Sequence, residues 1–69
     1  MRKLTYLIIP PSGTMGREDA PYGVEFITDR TPLWTEQQYL RHRGGYKMEL
    51  ISDEETEEEK PVSREVELG

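Results

Sequence analysis

Few residues in this chain are of a type and spacing that could do chemistry. His42 is the single histidine, and its neighbours Arg41 and Arg43 are cations that do not orient it as a base, so no nucleophile–base–orienter arrangement can be assembled around it. Glu18 with Asp19, and the glutamates beyond Ser52, could in principle hold a divalent cation or serve as an acid–base pair. Hard cations need several oxygens at fixed spacing with a glycine at the sharp turn, and neither run has that order. Gly13, Gly16 and Gly23 lack the spacing and the following Lys-Ser/Thr of a phosphate-binding loop. The chain has no cysteine for a thiolate site or a disulfide. The expectation is therefore a protein with no catalytic residue, no cofactor and no metal, one that is not an enzyme.

The side chains best suited to recognition cluster in the second half of the folded part. Arg41, His42, Arg43 and Lys47, interleaved with Tyr39 and Tyr46, form a basic and aromatic set that could meet carboxylates of a partner protein or phosphates of nucleic acid. The competing reading of the same cations is a solvated helix end that complements the helix dipole. For Trp34, Tyr39 and Tyr46 the alternatives are core packing or exposed interface anchors.

The elements that position these residues follow from patterning. Lys3–Ile9 alternates as a strand and is stopped by Pro10-Pro11; Tyr22–Thr28 is a second strand, and Tyr46–Ile51 a third. Between the first two, residues from Pro10 to Pro21 read as a long, mobile loop. A helix lies between the second and third strands, with two possible starts. Thr35 with Gln38 matches a capping box, stapled by Trp34 and Tyr39. Thr31 with Pro32 at the first helical position is the other. Either helix is expected to end near Arg43, closed by Gly44-Gly45. The fold class predicted is α+β: a small three-stranded, mainly antiparallel sheet with one short helix, in the order strand-strand-helix-strand. Its core would be Leu4, Tyr6, Ile8, Val24, Phe26, Met48 and Leu50 from the strands with Trp34 and Leu40 from the helix, Trp34 mattering most.

Charge divides the chain. Through Ser52 seven cations face six carboxylates, a balance of +1; from Asp53 to Gly69 two face eight, or −6, which together make the overall −5. Residues 1–52 are expected to form one small interaction domain and residues 53–69 a disordered acidic tail, because Asp53–Glu59 offers no apolar surface to offset the entropy of ordering. The tail reads either as a solubility element or as an electrostatic decoy for a basic groove. At 69 residues, with little core, the domain should be marginally stable and should act through its surface. No apolar run is long enough to span a bilayer, so the expectation is a cytoplasmic protein, monomeric when free and with no membrane partner.

In organisation the chain resembles small, cysteine-free, highly charged regulators that bacteriophages make to redirect a host enzyme, including inhibitors and antiterminators that bind bacterial RNA polymerase. The features that carry the resemblance are its size, a minimal body containing Thr35-Glu36-Gln37-Gln38, the Arg41-His42-Arg43 patch and the Asp53–Glu59 run. None is a family motif, so no functional residue is transferred. The resemblance implies a protein that binds an RNA polymerase subunit and interferes with initiation or termination. Direct nucleic-acid binding is disfavoured because the acidic run would compete for the basic patch. A nucleic-acid-binding module and a structural subunit that adds an edge strand to a neighbour remain the alternative functions.

Overall fold

The computed structural model describes residues 1–11 and 20–68. The elements are β1 (Arg2–Ile9), β2 (Tyr22–Thr28), α1 (Pro32–Leu40), β3 (Lys47–Glu55) and β4 (Val62–Val66). The four strands form one sheet in the order β3-β1-β2-β4, with every neighbouring pair antiparallel. The α+β class and the first three strands agree with the sequence reading. The expected three-stranded sheet is corrected to four strands in a β-β-α-β-β order. Most of the loop expected between Pro10 and Pro21 lies outside the described residues.

The sheet runs across the boundary expected at Ser52. β3 continues through Asp53–Glu55, pairing these residues with Leu4, Lys3 and Arg2 of β1. Residues 56–61 then cross the end of the sheet, held by the Thr56 N–H donating to the Met1 carbonyl at 3.0 Å, and β4 pairs along β2 from Ile27↔Val62 to Gly23↔Val66. Moving from one edge of a four-stranded sheet to the other means covering about 14 Å, three strand spacings, which six extended residues can span at about 3.3 Å each. The disorder expected for 53–69 is thus corrected at Asp53–Glu55 and Val62–Val66. The physical reason is that the carboxylates there are not left to repel one another. Asp53 pairs with Arg2 at 3.3 Å, Glu54 with Lys3 at 3.7 Å, and Glu58 with Arg64 at 3.6 Å.

One face of the sheet carries the core. Leu4, Tyr6, Ile8 and Val24 are buried in a single cluster, with Tyr22, Phe26, Tyr39, Tyr46 and Met48 packed around it. Strand alternation places Lys3, Glu25, Ile27 and Arg64 on the other face. There Glu25, its side chain only 13 % exposed, lies 2.6 Å from Arg64 Nε and 3.9 Å from Lys3 Nζ. Ile27 is 1 % exposed, a buried position absent from the expected core.

The helix starts at Thr31, not Thr35. The Thr31 Oγ1 accepts from the Trp34 N–H at 3.1 Å, and Pro32 occupies the first turn. The Thr35 hydroxyl, buried, donates instead to the Thr31 carbonyl at 3.0 Å. α1 stops at Leu40, so Arg41, His42 and Arg43 follow the last turn rather than sit in it. Gly45, at φ +84°, supplies the left-handed residue before β3.

This start decides which face of α1 meets the sheet. Pro32, Thr35, Glu36, Tyr39 and Leu40, spaced i, i+3, i+4, i+7, i+8, are its less exposed positions. Trp34, expected as the key core residue, is 42 % exposed, and Leu33 is 65 % exposed. Leu50 is also exposed, where the pairing of β3 with β1 slips by one residue and Ile51 forms the bulge.

Candidate functional site

The site is built on a row of aromatic rings between α1 and the sheet. Tyr6 of β1 donates its hydroxyl to Glu36 Oε2 at 2.9 Å and lies 3.3 Å from the Pro32 carbonyl oxygen, fixing the first turn of α1 over the core. Its ring meets Phe26 edge-on at 5.8 Å, and Phe26 meets Tyr39 edge-on at 5.5 Å. The Tyr39 hydroxyl shares a 2.9 Å hydrogen bond with that of Tyr22. Each ring thus holds the next, and α1 is aligned by side-chain contacts rather than by an apolar stripe of its own.

The tyrosines are correspondingly hard to ionise. Burial, then the Glu36 hydrogen bond and the nearby carboxylate charges, push Tyr6 well above the ordinary tyrosine range. Burial first and the Tyr39 hydrogen bond second push Tyr22 up to about 12, against a smaller lowering by Arg43. A hydroxyl whose folded pKa is raised stabilises the fold fully below its unfolded value, and that contribution disappears as pH climbs toward the folded value. Stability should therefore hold to about pH 10 and fall from there through about 12. Circular dichroism followed together with tyrosinate absorbance checks this, and Tyr22→Phe should make the alkaline loss shallower.

The basic and aromatic residues expected to bind a partner are divided by the fold. Tyr39 and Tyr46 are half-buried against the core. Arg43 lies over the Tyr39 ring at 4.0 Å and donates from Nη1 to the Tyr39 carbonyl at 2.9 Å, while Arg41 and His42 are exposed in the turn that follows the helix. Lys47 opens β3 opposite Ile9, and by strand alternation its side chain belongs to the face away from Met48 and the core. It borders a shallow depression with Ile9, Pro10, Pro11 and Gly45.

Beside α1 runs a groove of about 470 Å³, bounded by Trp34, Gln38, Tyr39 and Arg43 on the helix side and by Phe26, Pro61 and Val62 on the sheet side. Arg30, outside the groove lining, lies over the Trp34 ring at 5.1 Å, with its guanidinium 3.7 Å from Asp29. Arg30 and Val62 were not among the residues expected at a site. Arg30 precedes Trp34 by four positions across the helix cap, a spacing that could have suggested it, but Val62 enters only through β4. Comparison with family models, with curated proteins and with solved structures returns no match. No helix among the described residues is long and apolar enough to cross a membrane.

Proposed function

We propose that this protein is a non-enzymatic interaction module that docks onto a larger protein assembly, with bacterial RNA polymerase the partner that its organisation favours and a change in initiation or termination the consequence. The observation that carries this reading is the exposed rim of α1. In a chain this small, Leu33 and Trp34 turn to solvent instead of adding to a scarce core, and Arg41 and His42 are exposed just past the end of the same helix. Aromatic anchors beside arginines are the side chains that dominate binding energy at protein interfaces.

The test is capture by the tagged full-length chain from a nuclease-treated bacterial lysate, read by mass spectrometry. RNA polymerase subunits should be retained after nuclease, whereas loss of all capture on that treatment would replace a protein partner by nucleic acid. Arg41→Glu combined with Arg43→Glu should reduce retention at least tenfold, by roughly 1.4 kcal/mol or more, while leaving the circular dichroism spectrum unchanged. Undiminished retention in that double variant would remove the helix end from the interface.

A further inference from the structure

We propose that β4 is an exchangeable strand whose alternative partner is a second copy of this chain. Two chains pair by each laying Val62–Val66 along β2 of the other, with residues 56–61 as the hinge. The proposal goes beyond the interaction reading above and does not depend on it.

The contacts that seat β4 lie on β2. Its backbone pairs from Ile27↔Val62 to Gly23↔Val66. Arg64 donates from Nε to Glu25 at 2.6 Å, and the Leu68 side chain lies over Gly23. β3, to which the chain joins β4, stands at the opposite edge of the sheet, with β1 and β2 between them. β2 of a second copy therefore offers the same register, the same carboxylate and the same glycine. Exchanging an identical element keeps such contacts and is a low-cost route to a dimer. Charge also specifies the occupant. The Glu25 side chain is only 13 % exposed, and without Arg64 it would be left with Lys3 at 3.9 Å. A replacement strand must bring a cation to that position, and β4 of another copy does so.

The connection suits this exchange. Glu57, Glu58, Glu59, Lys60 and Pro61 are all exposed, so opening the segment gives up no buried side chain. Thr56 is its fixed end, with the N–H bonded to the Met1 carbonyl at 3.0 Å. Pro61 is the other end and biases Lys60 toward an extended backbone directly before β4. The seven Cα steps from Glu55 to Val62 reach about 23 Å, more than the crossing of about 14 Å, so each chain can also close on itself. Concentration then decides between the two forms. A short flexible connection presents its own strand at an effective concentration in the millimolar range, and exchange sets in as the protein approaches it. Leu33 and Trp34 on α1 belong to neither β2 nor β4, so the dimer presents that exposed rim twice.

Sedimentation of the full-length protein should show a monomer at about 10 μM and a growing dimer fraction toward about 1 mM. Deleting residues 57–60 leaves three Cα steps between Glu55 and Val62, about 10 Å, too short for the crossing. That shortened chain should already be a dimer at about 10 μM, with the circular dichroism of the parent. Charge exchange then identifies the strand. In the shortened chain, Glu25→Arg and Arg64→Glu each set like charges opposite one another in a dimer of identical copies. Mixed in equal amounts, the two variants restore both opposite-charge pairs and should form a one-to-one dimer at least tenfold tighter than either forms alone. Arg64 is exposed, so Arg64→Glu serves by itself if Glu25→Arg does not fold, and it should weaken the dimer at least tenfold. A full-length protein with no dimer at about 1 mM, or a shortened chain that stays monomeric, folded or not, would overturn the proposal. A dimer indifferent to Arg64→Glu, or no tighter in the mixture, would overturn it too, by placing the contact on another surface.

Discussion

Replacing Gly23 with valine should detach β4 from the sheet and lower the melting temperature by roughly 5–20 °C. Gly23 is buried in β2, between Leu7 of β1 and Val66 of β4. A Cβ there would stand 2.7 Å from the Val66 carbonyl oxygen and collide with the Leu68 side chain, which folds back over the glycine. These contacts belong to the edge strand, which is free to move, so β4 should yield before the core does. Overpacking of this kind costs about 1–3 kcal/mol, and in a domain of this size each kcal/mol displaces the midpoint by about 4–8 °C. Thermal unfolding gives the magnitude. Amide exchange gives the location: protection at Arg64 and Val66 should be lost while that at Tyr6 and Val24 remains. Uniform loss across all four strands would mean that β4 is no separable edge but part of one cooperative unit.

That separation marks where the sequence was legible and where it was not. β1, β2 and the start of β3 could be read because their apolar residues alternate locally, and the buried cluster of Leu4, Tyr6, Ile8 and Val24 follows from period two alone. The helix was legible in its existence, not in its phase. Its less exposed positions are Pro32, Thr35, Glu36, Tyr39 and Leu40, a set with little apolar stripe; of the two helix residues expected in the core, Leu40 is half-buried and Trp34 is exposed. What selects the phase is the buried Tyr6 hydroxyl, which needs Glu36, and the Phe26 ring, which needs Tyr39. Both contacts join residues remote in sequence. The binding set was legible as a cluster in sequence, but strand alternation turns Lys47 away from the face that Tyr39 and Arg43 share.

β4 was hidden by its charges. Val62, Arg64 and Val66 alternate with Ser63 and Glu65 just after Pro61, a strand pattern, but it follows a run of carboxylates whose like charge argued for disorder. The counter-charges sit far away along the chain, at Arg2 and Lys3 and, on β4 itself, at Arg64. Side by side in the sheet they form an alternating row, Glu54–Lys3–Glu25–Arg64–Glu58, spanning all four strands. Local charge density measured the repulsion and could not register the pairing. Exposed pairs contribute little, about 0–1 kcal/mol each, but Glu25 is largely shielded, and its hydrogen bond to Arg64 Nε raises the pKa of that guanidinium further.

Truncation after Ser52 is the sharpest test of this account, because the charge pattern and the fold predict opposite results. If residues 53–69 were a solvated tail, their removal would leave the domain intact. In the four-stranded sheet the same cut removes the pairing partners of Arg2, Lys3 and Leu4, deletes β4, and turns β2 into an edge. Ile27, now 1 % exposed, would lose the strand beside it, and the groove next to α1 would lose Pro61 and Val62 from its sheet side. Uncovering one such aliphatic side chain costs about 1.5–3 kcal/mol, against a total stability on the order of 3–10 kcal/mol for a chain of this length. Residues 1–52 alone should therefore show no cooperative thermal transition and little strand signal in circular dichroism. A matched variant, full length with Glu57, Glu59 and Glu67 replaced by Gln, should keep its midpoint within about 0.5 kcal/mol of the parent, since none of these three takes part in the row. Order in the second half of the chain would then rest on backbone pairing and on the cations of β1 and β4, with the acidic composition incidental to it. Cooperative melting of residues 1–52 at the parent temperature would show instead that β4 decorates a three-stranded domain that is already complete.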